Sequence, residues 1–252
     1  EPERNNFTDN FNYPFPKQEK LLDVEYGYQY QGSNLHAGAN FYYMGYDNQL
    51  VQTGQESEIG EALTTNVKDS YRMGVELSAG WAPLSWLSFE GNAALSKNKI
   101  KDFDEYVEDW GSNTGTRVNH YDNSTLSFSP SAILNGFVDF HYAGFSATWH
   151  TNFVSSQYLD TSESKDRSLP CYSQSDLSLN YTSAVKKALG IKQVTLGLDF
   201  NNVFNRHYAP SGFVWYNAIN EEGGYTNDHR LTALSYIPMA GFTCMAHLTL
   251  KF

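Results

Sequence analysis

Apolar and polar residues alternate with a period of two along nearly the whole chain, and helical spacing is almost absent. Leu22, Val24, Tyr26, Tyr28 and Tyr30 share one face of an extended segment, with Asp23, Glu25, Gly27 and Gln29 on the other. After a turn at Gln31-Gly32-Ser33-Asn34, Leu35, Ala37, Ala39, Phe41 and Tyr43 resume the apolar face opposite His36, Gly38, Asn40 and Tyr42. This pattern predicts two strands and a tight hairpin. The same alternation runs from Tyr71 to Trp81, Leu87 to Leu95, Leu134 to Tyr142, Phe145 to Phe153, Leu177 to Tyr181, Val194 to Phe200 and Phe242 to Phe252. About nine strands are expected.

The connections between these segments have two lengths. Short turns near 31–34, 82–85, 143–144 and 184–190 alternate with long polar loops near 52–66, 103–127, 158–171 and 205–235. A soluble β-sandwich has no reason to keep its long loops at one end, and its strands run to about five or six residues. An antiparallel transmembrane β-barrel has short periplasmic turns, long extracellular loops and strands of about ten residues, which is the pattern here. An odd strand count places the two ends of the chain on opposite sides of a membrane. Single-chain bacterial barrels have even counts, so the parity predicts the C-terminal part of a longer polypeptide.

Composition sharpens this picture. The 252 residues carry 17 basic and 28 acidic side chains, a net charge of −11, which argues against a nucleic-acid partner. Charged residues are only 18% and aromatics reach 15%, too many rings for a disordered chain. No apolar run approaches the roughly 18 residues a spanning helix needs, whereas alternating barrel strands average to a polar hydropathy. The sequence begins at Glu1 without an initiator Met or a signal peptide, as processing or truncation would leave it. Two cysteines, Cys171 and Cys244, cannot form a disulfide framework, and their positions on non-adjacent strands disfavour a bridge.

Chemistry-bearing residues are scattered. His36, His141, His150 and His247 fall on inward positions, His120, His207 and His229 in or beside outer loops, and none has zinc-ligand spacing. Glu56, Glu58 and Glu61, like Asp102, Asp104 and Glu105, read as solvated loop charges. No nucleophile and base form a recognisable arrangement, so a barrel-embedded lipase or protease is rejected and no enzyme is expected. Gly27, Gly38, Gly74, Gly80 and Gly197 point inward by parity, where either a close neighbour or a bend of the wall would use them. The outer-loop rings Trp110, Tyr121, Trp215, Tyr216 and Tyr225, with His229, are the candidate ligand-binding residues, because exposed rings can stack on a ligand. No metal site or cofactor is expected.

Tyr42-Tyr43-Met44 and Gln49-Leu50-Val51 look like segments of receptors of the Bacteroidetes group, and several longer segments resemble the TonB-dependent outer-membrane receptors. Pro16-Lys17-Gln18-Glu19-Lys20 followed by Val24-Glu25-Tyr26-Gly27-Tyr28 is similar to the opening of that family's C-terminal barrel half. Asn66-Val67 through Gly74-Val75-Glu76-Leu77 looks like another of its strands. Asn201-Asn202-Val203-Phe204-Asn205-Arg206-His207-Tyr208 resembles the motif at the outer end of its penultimate strand. Pro238 to Gly241, then alternation to a terminal Phe252, looks like the barrel-closing strand, with Phe242 where the family usually has arginine.

The resemblance implies that residues 1–252 are the C-terminal part of a receptor barrel of 22 strands, with the plug domain, the TonB box and the N-terminal strands outside this chain. It implies a location in the outer membrane of a Gram-negative bacterium and active uptake of a scarce ligand, with an iron-siderophore complex leading. Haem, cobalamin or an oligosaccharide are the competing cargoes, and a passive porin or structural barrel is the competing class. The implied partners are the TonB-ExbB-ExbD complex acting through the plug, the rest of the receptor, outer-membrane lipid and lipopolysaccharide, and the barrel-assembly machinery through Phe252. A surface lipoprotein is a further candidate partner.

Overall fold

The computed structural model describes residues 4, 7, 15–56, 62–109, 115–188, 190–219 and 230–252. Among them the strands, in chain order, are β1 (Lys20–Gln31), β2 (Leu35–Glu56), β3 (Ala62–Leu84), β4 (Leu87–Asp109), β5 (Thr116–Thr125), β6 (Ala132–Tyr142), β7 (Phe145–Val154), β8 (Gln157–Tyr158), β9 (Ser168–Leu169), β10 (Tyr172–Ala188), β11 (Ile191–Asn201), β12 (Ser211–Ile219), β13 (Arg230–Ile237) and β14 (Thr243–Lys251). No helix of the described residues is long and apolar enough to cross a membrane.

Nine strands form one antiparallel wall in the order β1-β2-β3-β4-β6-β7-β10-β11-β14. These are the nine alternating segments of the sequence. Their register keeps one face continuous: Gly27 pairs with Asn40, Asn40 with Glu76, Glu76 with Ala94, Asn92 with Asn135, and Asn135 with Asn152. On this inner side Asn40 donates to Glu25 (3.0 Å), Asn135 to Asn92 (3.0 Å) and Asn152 to Asn135 (2.9 Å). The opposite face is aliphatic and exposed at Leu22, Val24, Leu77, Leu95, Leu134, Leu196, Leu198, Leu248 and Leu250. Such a surface is stable against hydrocarbon, not against water.

Aromatic rows bound the aliphatic belt. Toward the short turns Trp81 stacks on Phe89 (5.8 Å) and Trp86 meets Phe140 edge-on (5.5 Å). Toward the long hairpins Tyr43 stacks on Tyr71 (6.2 Å) and Phe200 on Phe242 (6.3 Å). Tyr71 and Trp81 lie about ten residues apart on β3, about 33 Å of strand, which a tilt of about 40° converts to a belt about 25 Å tall.

Three of the inward glycines are accounted for by rings on the neighbouring strand. His36 lies across Gly80, where a Cβ would collide with the imidazole, and His247 lies across Gly197 in the same way. Over Gly74 the Tyr42 hydroxyl would stand 2.7 Å from an added Cβ. A ring laid over a strand glycine restores the cross-strand contact that the glycine lacks.

Both cysteines are free and exposed. Cys171 precedes β10 at the long-hairpin end, whereas Cys244 pairs with Phe200 inside the belt. A membrane-impermeant charged maleimide applied to intact cells is therefore expected to label Cys171 and spare Cys244, read by mass spectrometry of the tryptic peptides. Equal labelling of the two would contradict the assignment of faces.

Candidate ligand-binding mouth

The stretches expected as loops at 52–66 and 103–127 are mostly strand. β2, β3 and β4 run 22, 23 and 23 residues, continuing beyond the upper aromatic row, with β5 pairing along the outer part of β4. At the base of this extension the sheet exchanges its faces. Ile100 and Phe103 are both buried although three residues apart, as are Val67 and Ser70, which unbroken alternation forbids. The exchange coincides with left-handed backbone at Asn48 (φ 60°) and Asn123 (φ 55°), a conformation asparagine tolerates better than most residues. Asn66 secures the first of them: its amide donates to the Asn48 carbonyl (2.6 Å) and the Lys17 carbonyl (3.0 Å).

Above that level Val51, Val67, Ile100, Phe103 and Leu126 form a small hydrophobic core, with Tyr121 packed against it. Among the described residues the buried apolar cluster thus lies in the outer extension, not in the wall. Tyr121 stacks on Phe103 (6.5 Å) and donates its hydroxyl to Glu105 (2.8 Å). Of the proposed ligand-binding rings, this one has both its face and its hydroxyl engaged in the hairpin. Glu105, expected in solvent, is buried.

Residues 157–169 fold against this hairpin. Leu159 and Leu169 are buried, and so is Arg167, whose guanidinium meets Asp160, Ser162 and, at 3.9 Å, Glu105. Glu163 accepts hydrogen bonds from Lys99 (2.6 Å), from the Thr125 amide (2.6 Å) and from the Thr125 hydroxyl. Burial opposes the charge on Glu163, but Lys99 and Thr125 outweigh it and hold the carboxyl below its ordinary value. A depressed folded-state value means that this clasp is complete above the ordinary carboxylate range and is lost as pH falls through the lowered value. Protection of 158–169 against hydrogen exchange, taken relative to the intrinsic rate at each pH, is therefore expected to be high at neutral pH and to fall as Glu163 is protonated on acidification, with Glu163→Gln weakly protected throughout.

The segment beginning Asn201-Asn202 closes the base of the longest excursion. Asn202 is buried and left-handed (φ 51°). Its amide donates to the carbonyls of Arg206 (2.8 Å) and Ala240 (3.1 Å), and its side-chain oxygen accepts from the Arg206 amide (2.8 Å). The Asn202 backbone amide donates to Asp176 (2.8 Å). Asn205 accepts from the Phe242 amide (2.9 Å), and the Met239 amide donates to Tyr208 (3.0 Å). Tyr208 stacks on Tyr172 (4.4 Å) and donates its hydroxyl to Gln174. From this base the β12–β13 hairpin rises until Ala218 and Ile219 pair in parallel with Glu108 and Asp109 of β4. The outer hairpins therefore meet above the inner wall.

Beneath them the inner wall is polar. One notch is lined by Glu25, Tyr42, Arg72, Glu76, Asn98 and Ser129, with Arg72 donating to Ser129 (3.3 Å). Further round, His150 lies 3.6 Å from Asp176 and stacks on Phe137 (4.3 Å), while Asp199 accepts from Ser178 (2.7 Å) and lies 3.2 Å from His247. On the exposed side of the β4–β5 hairpin, metal-ligating atoms of Asp102, His120 and Asp122 lie within 4.8 Å of one another. Hydrogen bonds between the His120 ring and Asp104 (2.7 Å) and Asp122 (3.2 Å) raise its pKa.

Trp215 and Tyr216 lie on β12, where the pairing register shifts, but their side chains are outside the described residues, as are Trp110, Tyr225 and His229 altogether. Sequence reasoning missed Arg72, Arg167, Glu163 and Asn202. Only Asn202 carried a signal, its place in a motif.

An open antiparallel wall with an aliphatic outer belt, aromatic rows, a polar inner face and folded outer hairpins defines part of a transmembrane β-barrel. Residues 3–203 match the family described as TonB dependent receptor-like, beta-barrel, and the chain belongs to that family. Among solved structures it resembles the copper transporter OprC (TM-score 0.65, 19% identity, over 95% of this chain and 33% of that one). It also resembles the ferric-catecholate import receptor Fiu from E. coli K12 (0.61, 14%, 94% and 28%) and the ferric yersiniabactin uptake receptor FyuA from Yersinia pestis (0.60, 16%, 93% and 30%). The chain thus spans about a third of the length of these structures. None of the curated proteins matches it.

Proposed function

We propose that this chain forms the C-terminal wall and part of the outer mouth of a TonB-dependent receptor for active uptake of an iron-siderophore complex across the outer membrane. The observation that carries the reading is the roof: β12–β13, anchored at Asn202 and Asn205, reaches the β4–β5 hairpin above a polar inner wall. A ligand held beneath it would face Arg72, Glu25 and Glu76. Two structural neighbours, the ferric-catecholate import receptor Fiu and the ferric yersiniabactin uptake receptor FyuA, support the cargo class. Opening toward the periplasm would be driven by TonB-ExbB-ExbD through a plug supplied by another part of the receptor. The chain's own chemistry is binding, not catalysis.

The test is excision of residues 211–237 from the full receptor, with a short glycine linker across the retained base. Ferric-siderophore binding to whole cells is expected to fall at least about tenfold, with barrel assembly, read by heat-modifiable gel mobility, unchanged. Undiminished affinity in an assembled barrel would overturn the role given to this hairpin. Uptake of iron that persists after depletion of TonB would overturn active transport and favour a passive pore.

A further inference from the structure

The β4–β5 pairing brings an imidazole and three carboxylates together on the exposed side of that hairpin. Asp102 stands directly across from Asp122, and Asp104 directly across from His120. The residues thus occupy the corners of one square of the sheet, assembled by register and not by sequence spacing. Like charges directly opposite each other on a ladder are destabilising, and no lysine or arginine stands at a corner to offset the Asp102–Asp122 rung. The neighbouring Lys101 is turned to Asp69 (4.0 Å).

The imidazole is held at both nitrogens. Nδ1 lies 2.7 Å from Asp104, and Nε2 lies 3.2 Å from Asp122. A histidine that ligates a metal is held from behind in this manner: the nitrogen away from the ion donates its hydrogen to a carboxylate, which fixes the tautomer and orients the lone pair of the other nitrogen. With Nδ1–H given to Asp104, Nε2 turns its lone pair toward Asp122. Two donors bound to one tetrahedral zinc at its usual bond lengths stand about 3.3 Å apart, so the separation of Nε2 from Asp122 is already that of two ligands on one ion. Ligating atoms of Asp102, His120 and Asp122 all lie within 4.8 Å of one another. Asp102 therefore has at most about 1.5 Å to close, a distance that rotation of an exposed side chain supplies.

We propose that Asp102, His120 and Asp122 bind a divalent first-row transition ion of the zinc type, with Asp104 orienting the imidazole and water completing the coordination. One imidazole with two carboxylates suits such an ion, whereas calcium takes about six to eight oxygens and magnesium an octahedral oxygen shell. The ion takes the place of the proton on Nε2 where the ring carries one, and that proton leaves to solvent. Because its ligands come from both strands, the ion ties β4 to β5 below the rung at which Ala218 and Ile219 of β12 join β4. It stands apart from the notch at Arg72 and braces the hairpin on which the roof rests.

The experiment uses the full receptor without an affinity tag, purified in mild detergent, stripped with a chelator and titrated with zinc chloride by calorimetry. His120→Gln and Asp102→Asn are each expected to weaken one zinc site by about a hundredfold or more, and Asp104→Asn, which leaves all three ligands in place, by about 10- to 100-fold. His207→Gln, which removes an exposed imidazole elsewhere, should leave that site unchanged, and millimolar calcium should not displace the zinc. X-ray absorption at the zinc edge should show one imidazole among oxygen donors. Zinc should also slow hydrogen exchange across 99–125 in the wild type and not in His120→Gln. Undiminished affinity in His120→Gln and Asp102→Asn, zinc bound without an imidazole, or displacement by calcium would overturn the proposal and leave cations condensed on an acidic face. Exchange across 99–125 that ignores zinc would overturn the bracing of the hairpin. If His120→Gln assembles poorly, Asp122→Asn and the absorption spectrum of the wild type give the same decision.

Discussion

Asn202→Ala is expected to unfasten the whole excursion from 203 to 241 while leaving the wall assembled. The side chain is buried and satisfies the Arg206 amide and the carbonyls of Arg206 and Ala240 at once. Each buried group left without a partner costs about 1–3 kcal/mol. Alanine would also have to hold a left-handed backbone that costs it about 1–2 kcal/mol. Relaxation of the loop relieves part of this, so a loss of about 3–5 kcal/mol is expected for the base of the hairpin. The readout is protease cleavage within 203–241 of the assembled receptor, accelerated by two orders of magnitude or more by a loss of about 3 kcal/mol. Asn202→Asp separates the contributions. It keeps an acceptor for the Arg206 amide, loses both donors and brings a second carboxylate toward Asp176, so it should be cleaved at least as fast as the alanine variant at neutral pH. It should recover in part when acidified. Cleavage at the wild-type rate in both variants would remove Asn202 from the role given to it.

This role also explains which parts of the molecule were legible in the sequence. The nine wall strands have apolar lipid on one side and polar groups on the other, so each must alternate, and the alternation can be read without any tertiary information. The faces of Leu22, Leu77, Leu134, Leu196 and Leu248 follow from it directly. In the outer hairpins the buried side of the sheet carries polar as well as apolar residues, Glu105 and Asp109 beside Phe103 and Val107, so no apolar alternation marks it. Phe103-Asp104-Glu105-Tyr106-Val107 reads as the start of a solvated loop, yet it is strand throughout. The face exchange at Asn48 and Asn123 hides the core as well, since Ile100 and Phe103 then share one side against the parity rule.

Of the rings sought in outer segments, Tyr121 shows that a ring in an outer hairpin can be part of its core. The inward glycines posed a question the sequence could not resolve, because the ring above each belongs to a strand distant in sequence: Gly80 meets His36 and Gly197 meets His247. The penultimate-strand motif was visible as a pattern, and its work became clear only when Asn202 was seen to span Arg206 and Ala240. Phe242, a departure from the family pattern, is accommodated by stacking on Phe200 and by its amide on Asn205.

Arg167 should give the second large effect, and its direction depends on what replaces it. The guanidinium and Glu105 are both almost fully buried, and Asp160 completes the cluster. Attraction between such charges roughly offsets the cost of taking them out of water, so the cluster as a whole adds little net stability. Removing one member is different. Arg167→Leu leaves Glu105 and Asp160 facing each other without a cation, a change that costs about 3–5 kcal/mol in buried clusters. It is expected to release 157–169 from the β4–β5 hairpin and expose Leu159 and Leu169, raising hydrogen exchange across this segment by at least two orders of magnitude. The triple variant Arg167→Leu/Glu105→Gln/Asp160→Asn removes the stranded charges and should recover most of that loss, because the neutral amides at positions 105 and 160 can still accept hydrogen bonds from Tyr121 and Ser162. If the single variant exchanges like the wild type, the cluster is not what holds the segment. If the triple variant stays as open as the single one, the guanidinium contributes through its own hydrogen bonds and packing, and the electrostatic account fails.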